Sequence, residues 1–131
     1  MSRSGYSDDL DNWDLIKWRG QVASALRGKR GQAFLRDLVA ALDAMPVKEL
    51  IMGDLENLNG VCAIGAVGRA RGIDMSELYV HDRESIGHVF NIAGPMAAEI
   101  AYLNDEAWPT YLQTPAERWE SMREWAVSKI K

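Results

Sequence analysis

One cysteine, Cys62, in 131 residues excludes an intramolecular disulfide framework and suits a reducing compartment. Two histidines, His81 and His88, stand seven apart beside Asp82 and Glu84. They belong to no H-E-x-x-H or paired-cysteine pattern, so no metal and no cofactor is expected. No apolar run approaches the roughly 18 residues that cross a membrane, and the acidic, polar opening residues hold no signal-peptide core. A cytoplasmic location is expected on both grounds. Positive charge is in deficit: 15 Lys and Arg face 19 Asp and Glu, a formal net charge of −4. General nucleic-acid binding relies on a basic surface, so direct binding of duplex DNA is not expected. Repeats, low-complexity stretches and an internal linker are lacking too. The reading is a polar, poorly fixed tail over residues 1–10 and one domain over 11–131.

What is there is helical periodicity. On a wheel of 100° per residue, Leu15, Trp18, Val22, Ala25 and Leu26 share one arc, which Ile16 and Ala23 widen. Phe34, Leu35, Leu38, Val39, Leu42 and Met45 share another, with Gln32, Arg36 and Asp43 opposite. Asp11 or Asn12 can cap the first helix, and Asp14 suits its positive end. Between the helices lies Arg27-Gly28-Lys29-Arg30-Gly31, a link that predicts an antiparallel helical hairpin. Pro46 stops the second helix at about Met45. Arg19 projects into the first apolar arc, toward Val22 and Leu26. An unpaired buried guanidinium costs several kcal/mol, so Arg19 either snorkels to solvent or forms a structural ion pair with another element.

Beyond Pro46 the pattern is shorter. Asn59-Gly60 signals a turn and permits a minor β-hairpin near residues 50–63, pairing Leu50–Met52 with Val61–Ala63. Val61 to Gly72 predicts a buried helix whose Gly65 and Gly68 let another helix approach, with Gly72 as its stop. Asp82 caps a helix to Phe90 with Ile86, Val89 and Phe90 inward. Asn91 to Gly94 is a turn, and Pro95 opens a helix carrying Met96, Ile100 and Leu103. Asn104 to Gln113 is expected as a loop. Thr114-Pro115-Ala116-Glu117 joins a cap, a first-turn proline and a capping-box glutamate, and Trp119, Met122, Ala126 and Ile130 follow as an apolar stripe. The fold class is mainly α: a single-domain helical bundle of about five to six helices.

Several residues invite chemistry and are weighed against plainer roles. Cys62 near a helix start, with His81 or His88 as base, has the parts of a small cysteine hydrolase. Its apolar surroundings fit a buried structural cysteine better. The isolated Gly-x-x-Gly at residue 65 lacks the lysine and hydroxyl of a phosphate-binding loop. Residues 83 to 102 have a helix-turn-helix outline, as in a DNA-binding regulator. The would-be recognition helix, Pro95 to Tyr102, carries no Arg, Lys, Asn or Gln to read bases.

Charge and tryptophan are left over. Residues 17 to 36 gather Lys17, Arg19, Arg27, Lys29, Arg30 and Arg36, whereas the first fourteen hold Asp8, Asp9, Asp11 and Asp14. Arg27, Lys29 and Arg30 at a helical tip serve either to offset the first helix's negative end or as an electrostatic footprint for an acidic protein patch or RNA backbone. Of five tryptophans, Trp18 and Trp119 point to core faces. Trp13, Trp108 and Trp125 sit at edges or in a loop, and tryptophan is enriched where proteins bind partners. The partner-binding set is therefore Arg27, Lys29, Arg30, Arg36, Trp13 and Trp108.

Five groups of these residues also resemble a family of short uncharacterised proteins found in proteobacterial phages, prophages and other mobile elements. They are Ser4-Gly5-Tyr6-Ser7-Asp8-Asp9, Trp18-Arg19-Gly20, Arg27 to Leu35, Val61 to Gly72, and Asn104-Asp105-Glu106 with Thr114 to Arg118. The likeness runs along nearly the whole chain and brings no assigned catalytic residue. It implies context: a non-enzymatic accessory protein in the cytoplasm of a bacterial host. Such proteins bind and inhibit a host protein or ribonucleoprotein complex, including CRISPR and other defence machinery.

Overall fold

A computed structural model describes residues 3–5, 12–107 and 112–131. Six helices are present among them: α1 (Asn12–Arg27), α2 (Lys29–Ala44), α3 (Ala63–Arg71), α4 (Arg83–Phe90), α5 (Gly94–Asp105) and α6 (Pro115–Lys129). Two short strands, β1 (Glu56–Asn57) and β2 (Gly60–Val61), pair antiparallel between α2 and α3. The expected mainly α class, with six helices and a small hairpin, is what the chain forms. Local signals set most boundaries. Met45 ends α2 before Pro46, and Gly72 adopts a left-handed φ of 70° to close α3. Asp82 accepts from Ser85 N–H at the start of α4, and Thr114 and Glu117 form the reciprocal capping box of α6.

Two helices organise the core. α2 packs against α1, α3 and α6, and α5 packs against α1, α3, α4 and α6. Phe34, Leu35, Leu38 and Leu42 of α2 meet Val67, Phe90, Met96 and Ile100 with no side chain left accessible. Phe34 and Phe90 pack edge to face at 6.3 Å. Val89, expected inward, remains 38% exposed.

The hairpin differs from the expected pairing. Glu56 faces Val61 and Asn57 faces Gly60, so the turn is Leu58-Asn59, one position earlier than the Asn-Gly signal. Asn57 Oδ1 accepts from Asn59 N–H at 2.8 Å and stabilises that earlier turn. Residues 50–52 form no strand, although Ile51 N–H donates to Val61 O at 2.9 Å. α3 also differs in what its glycines admit. A methyl at Gly65 would overlap the Leu55 carbonyl, and one at Gly68 would meet the Met75 side chain and the Phe90 ring of α4, so a loop backbone closes on the first and side chains on the second. α5 runs on through Asn104 and Asp105, which the sequence placed in a loop.

Asp105 and the following Glu106 hold residues 3 and 4. Arg3, only 6% exposed, grips Asp105 with two bonds, Nε to Oδ2 at 2.6 Å and Nη2 to Oδ1 at 2.7 Å. Its Nη1 donates to Asp54 O and Cys62 Sγ, each at 3.3 Å. Burial pulls the guanidinium pKa down, but the charge interaction with Cys62 and the bonds to Asp105 outweigh it and raise the value. Ser4 is wholly buried and donates to Glu106 at 2.7 Å. Asn104 completes the knot by accepting from Ala63 N–H at 3.1 Å and donating to Ile51 O at 2.8 Å. Residues 3 and 4, expected within a poorly fixed tail, are thus held by the core. The rest of 1–10 other than Gly5 lies outside the described residues.

Candidate functional site

Most cations here are committed to the fold. Arg71 clamps Asp37 at 2.7 Å and donates to Phe90 O at 2.9 Å, and Arg123 pairs with Asp43 at 2.6 Å. Arg69 meets Glu56 at 3.2 Å, and Lys48 bonds the last carbonyls of α2. Arg83 lies 4.9 Å from the centre of the Trp18 ring. Arg118, 5% exposed, is spent on Leu50 O at 2.6 Å and Gln113 O at 3.0 Å. Burial lowers its pKa, against a smaller opposing attraction from Asp105.

Of the remaining cations, Lys17 pairs with Asp14 at 3.8 Å and Arg19 stands midway along α1, while Arg27, Lys29, Arg30, Arg36, Lys129 and Lys131 gather at one end. α1 and α2 are separated by Gly28 alone, so Lys29, Arg30 and Gly31 belong to the first turn of α2 rather than to a loop. Gly31 is required there, because a methyl would overlap the Ala25 carbonyl of α1. Gln32, placed on the polar face by periodicity, is instead buried at 7% exposure. Its Nε2 donates to Leu26 O at 2.8 Å and Lys129 O at 3.0 Å, and its Oε1 accepts from Lys131 N–H at 2.9 Å. Arg36 Nη2 adds a bond to Lys131 O at 3.3 Å. One glutamine therefore ties the end of α1, the start of α2 and the end of α6 together. The side chains of Arg27, Lys29, Arg30, Lys129 and Lys131 are exposed there, with no ion pair or hydrogen bond among the described residues.

Electrostatically, two of these five stand in the wrong place for stability. The first turn of a helix is its positive end, where carboxylates are favoured and cations disfavoured by typically 0.3–1 kcal/mol each. α2 has no acidic residue in its first turn and no side-chain cap at Gly28, yet it begins Lys29-Arg30. Arg27 lies in the last turn of α1, where a cation offsets that helix's negative end, and Gly28 alone separates Lys29 from it.

Arg19 departs from its expected role as a structural ion pair. The buried side of α1 runs from Ala25 and Trp18 round to Val22 and Leu26, while Ile16 is 62% exposed. Arg19 lies on the Ile16 flank of that arc, is exposed, and makes no ion pair among the described residues. It borders a groove of about 310 Å³ between α1, α5 and α6, lined also by Trp18, Val22, Glu99, Trp125 and Lys129. Trp13, 65% exposed, is apart from this end: fourteen residues of helix put it about 21 Å from Arg27. Trp108 lies outside the described residues. The sequence reading missed Lys129, Lys131 and Trp125 as neighbours of the basic turn, since nothing local relates α6 to α2.

Other candidates lose their chemistry. Cys62, 1% exposed, caps α3 by accepting from Gly65 N–H at 3.4 Å while Arg3 covers its sulfur. His81 packs edge-on to Tyr79, and among the described residues no three of His, Cys, Asp and Glu are arranged to hold a metal. The helix-turn-helix outline is present as α4 and α5. α5, however, is a central helix with Met96, Ala97, Ala98, Ile100, Ala101 and Asn104 buried, so it offers no face to a DNA groove. A larger groove of about 490 Å³ lies between the end of α2, the hairpin and α3, beside the fully exposed Leu58. No helix among the described residues is long and apolar enough to cross a membrane.

Fold and site together define a mainly α-helical domain with a tied polar interior and one end of unspent positive charge. The chain matches no family model, no curated protein and no solved structure.

Proposed function

We propose that this protein is a non-enzymatic binding protein whose basic end, Arg27, Lys29, Arg30, Arg36, Lys129 and Lys131, occupies an acidic or phosphate-bearing surface of a larger partner. The observation that carries the reading is the pair Lys29-Arg30 on the first turn of α2. Their charge works against the helix they begin, and no carboxylate among the described residues answers it. Residues that cost local stability without an internal partner are the ones a partner surface explains. The phage and prophage resemblance supplies the setting. The partner is then a host protein or ribonucleoprotein complex in the bacterial cytoplasm, with defence machinery such as a CRISPR complex as the target to test first.

The test is a tagged capture from host lysate using the wild type and Lys29→Glu/Arg30→Glu, with circular dichroism to confirm folding. A partner retained by the wild type and lost from the variant is expected, with the loss shrinking at high salt. Equal retention by both would place the contact elsewhere.

A further inference from the structure

Resting on that reading of the basic end, we infer that its ligand is a single-stranded polynucleotide, with phosphates on the unpaired cations and a base in the groove beside them. The groove between α1, α5 and α6 is continuous with the cations, since Arg19 and Lys129 form part of its lining. Leu26, another lining residue, is the one whose carbonyl Gln32 ties to Lys129 O. The same lining includes Val22 and two indoles, Trp125 and Trp18, the latter also packed against Arg83. Cations following a strand's backbone beside aromatic surfaces for its bases are how single strands are held. Three of the unpaired cations are arginines, Arg19, Arg27 and Arg30, whose planar forks match phosphate oxygens in pairs.

Two competing ligands fit less well. An acidic protein surface meets the cations and can pack on the indoles, but Glu99 in the groove lining repels an acidic side chain entering between them. The same carboxylate keeps phosphates on the outer cations. A duplex keeps its bases stacked and paired, and a recess of about 310 Å³ takes a base only when it is unstacked. Nothing about phosphate, base and indole separates RNA from DNA, so both strands belong in the experiment.

The test is fluorescence anisotropy with labelled single-stranded RNA and DNA of about 16 nucleotides, the matching duplex, and polyglutamate as competitor. One or both single strands should bind at about 50 mM salt and weaken toward 200 mM, with a log–log slope near −0.7 for each phosphate contacted. Tighter binding of RNA or of DNA assigns the source. Lys29→Glu/Arg30→Glu should weaken binding by at least about tenfold and flatten the slope. Trp125→Ala should weaken it about tenfold at unchanged slope, and Trp125→Phe, which retains a stacking face, should restore it. If Trp125→Ala melts early, the exposed Lys129→Glu replaces it, again with about a tenfold loss expected. The inference is overturned if neither strand binds, if the duplex or polyglutamate binds as tightly, or if none of these variants weakens binding. A host partner that still depends on Lys29 and Arg30 when no strand binds would leave the proposed function standing without this ligand. A captured partner indifferent to them would remove the proposed function itself.

Discussion

Arg3 and Arg30 carry the same charge, and the sequence surrounds both with small or polar residues, yet the fold uses them in opposite ways. Arg3 is buried, with two bonds to Asp105 and contacts to Asp54 and Cys62. Arg30 is exposed, has no side-chain partner among the described residues, and opens a helix whose dipole disfavours it. The contrast extends to their neighbourhoods. Around Arg3, Asn104 and Asp105 answer nearly every polar group that burial removes from water. Around Arg30, Gln32 does most of the structural bonding, Arg36 adds one bond to Lys131 O, and the side chains of Arg27, Lys29, Arg30, Lys129 and Lys131 add none among the described residues. A cation whose surroundings have been built to hold it speaks of stability, and one set against its own helix speaks of a partner.

The largest blow to that comparison would come from Asp105→Ala. It strands the Arg3 guanidinium and takes an acceptor from Asn104 and the Gly53 N–H. Removing one member of a buried pair costs about 3–5 kcal/mol, and a loss in that range is expected. Urea denaturation reads this directly. A loss below about 1 kcal/mol would mean that the knot is ornamental and the contrast with Arg30 empty.

Gln32→Ala tests the structural half of the basic end and should cost about 1–3 kcal/mol, since it removes three bonds to backbone groups, one buried and two partly buried. It should also weaken partner binding by letting the end of α6 drift from α2. Binding unchanged beside the full stability loss would separate Lys129 and Lys131 from the site.

Lys29→Glu/Arg30→Glu sharpens the comparison because its sign is unusual. Reversing two cations at the positive end of α2 should raise the melting temperature by roughly 1–4 °C while abolishing partner binding. A fall in melting temperature would show that these cations serve the fold after all, and the argument for a contact surface would go with it.

The smallest effect is the response to pH. Hydrogen bonds from Arg123, Ser85 and Thr114 hold the carboxyls of Asp43, Asp82 and Glu117, respectively, below their ordinary pKa values. A carboxyl depressed in the folded state stabilises it above the unfolded pKa, and that contribution is lost as pH falls through the folded one. Melting temperature should therefore hold from pH 7 to about 5 and decline below about 4. Binding through Lys and Arg should not change between about pH 5 and 8, where neither titrates. A step in binding within that range would count against a contact made by Lys and Arg alone.

What the sequence determined by itself is what depends on near neighbours. Pro46, Gly72, Asp82 and the Thr114–Glu117 box act within four residues of themselves, through φ restriction or a bond to the next turn, and the chain obeys each one. The apolar arcs of α1 and α2 were legible for the same reason, as a period is a local property. Gln32 was misplaced because its position on the wheel gives a direction but not what lies there, and the ends of α1 and α6 supply it with three backbone partners. Asn104 and Asp105 were read as loop, and Arg3 as tail, because Arg3 and Asp105 meet across 102 positions that no window spans. The basic turn itself could be read in the sequence. That it starts a helix, lacks an internal answer and shares its end of the molecule with Trp125, Lys129 and Lys131 was decided by packing. Close contact between α1, α2 and α6 brings these charges together, and the sequence records charges without recording which of them meet.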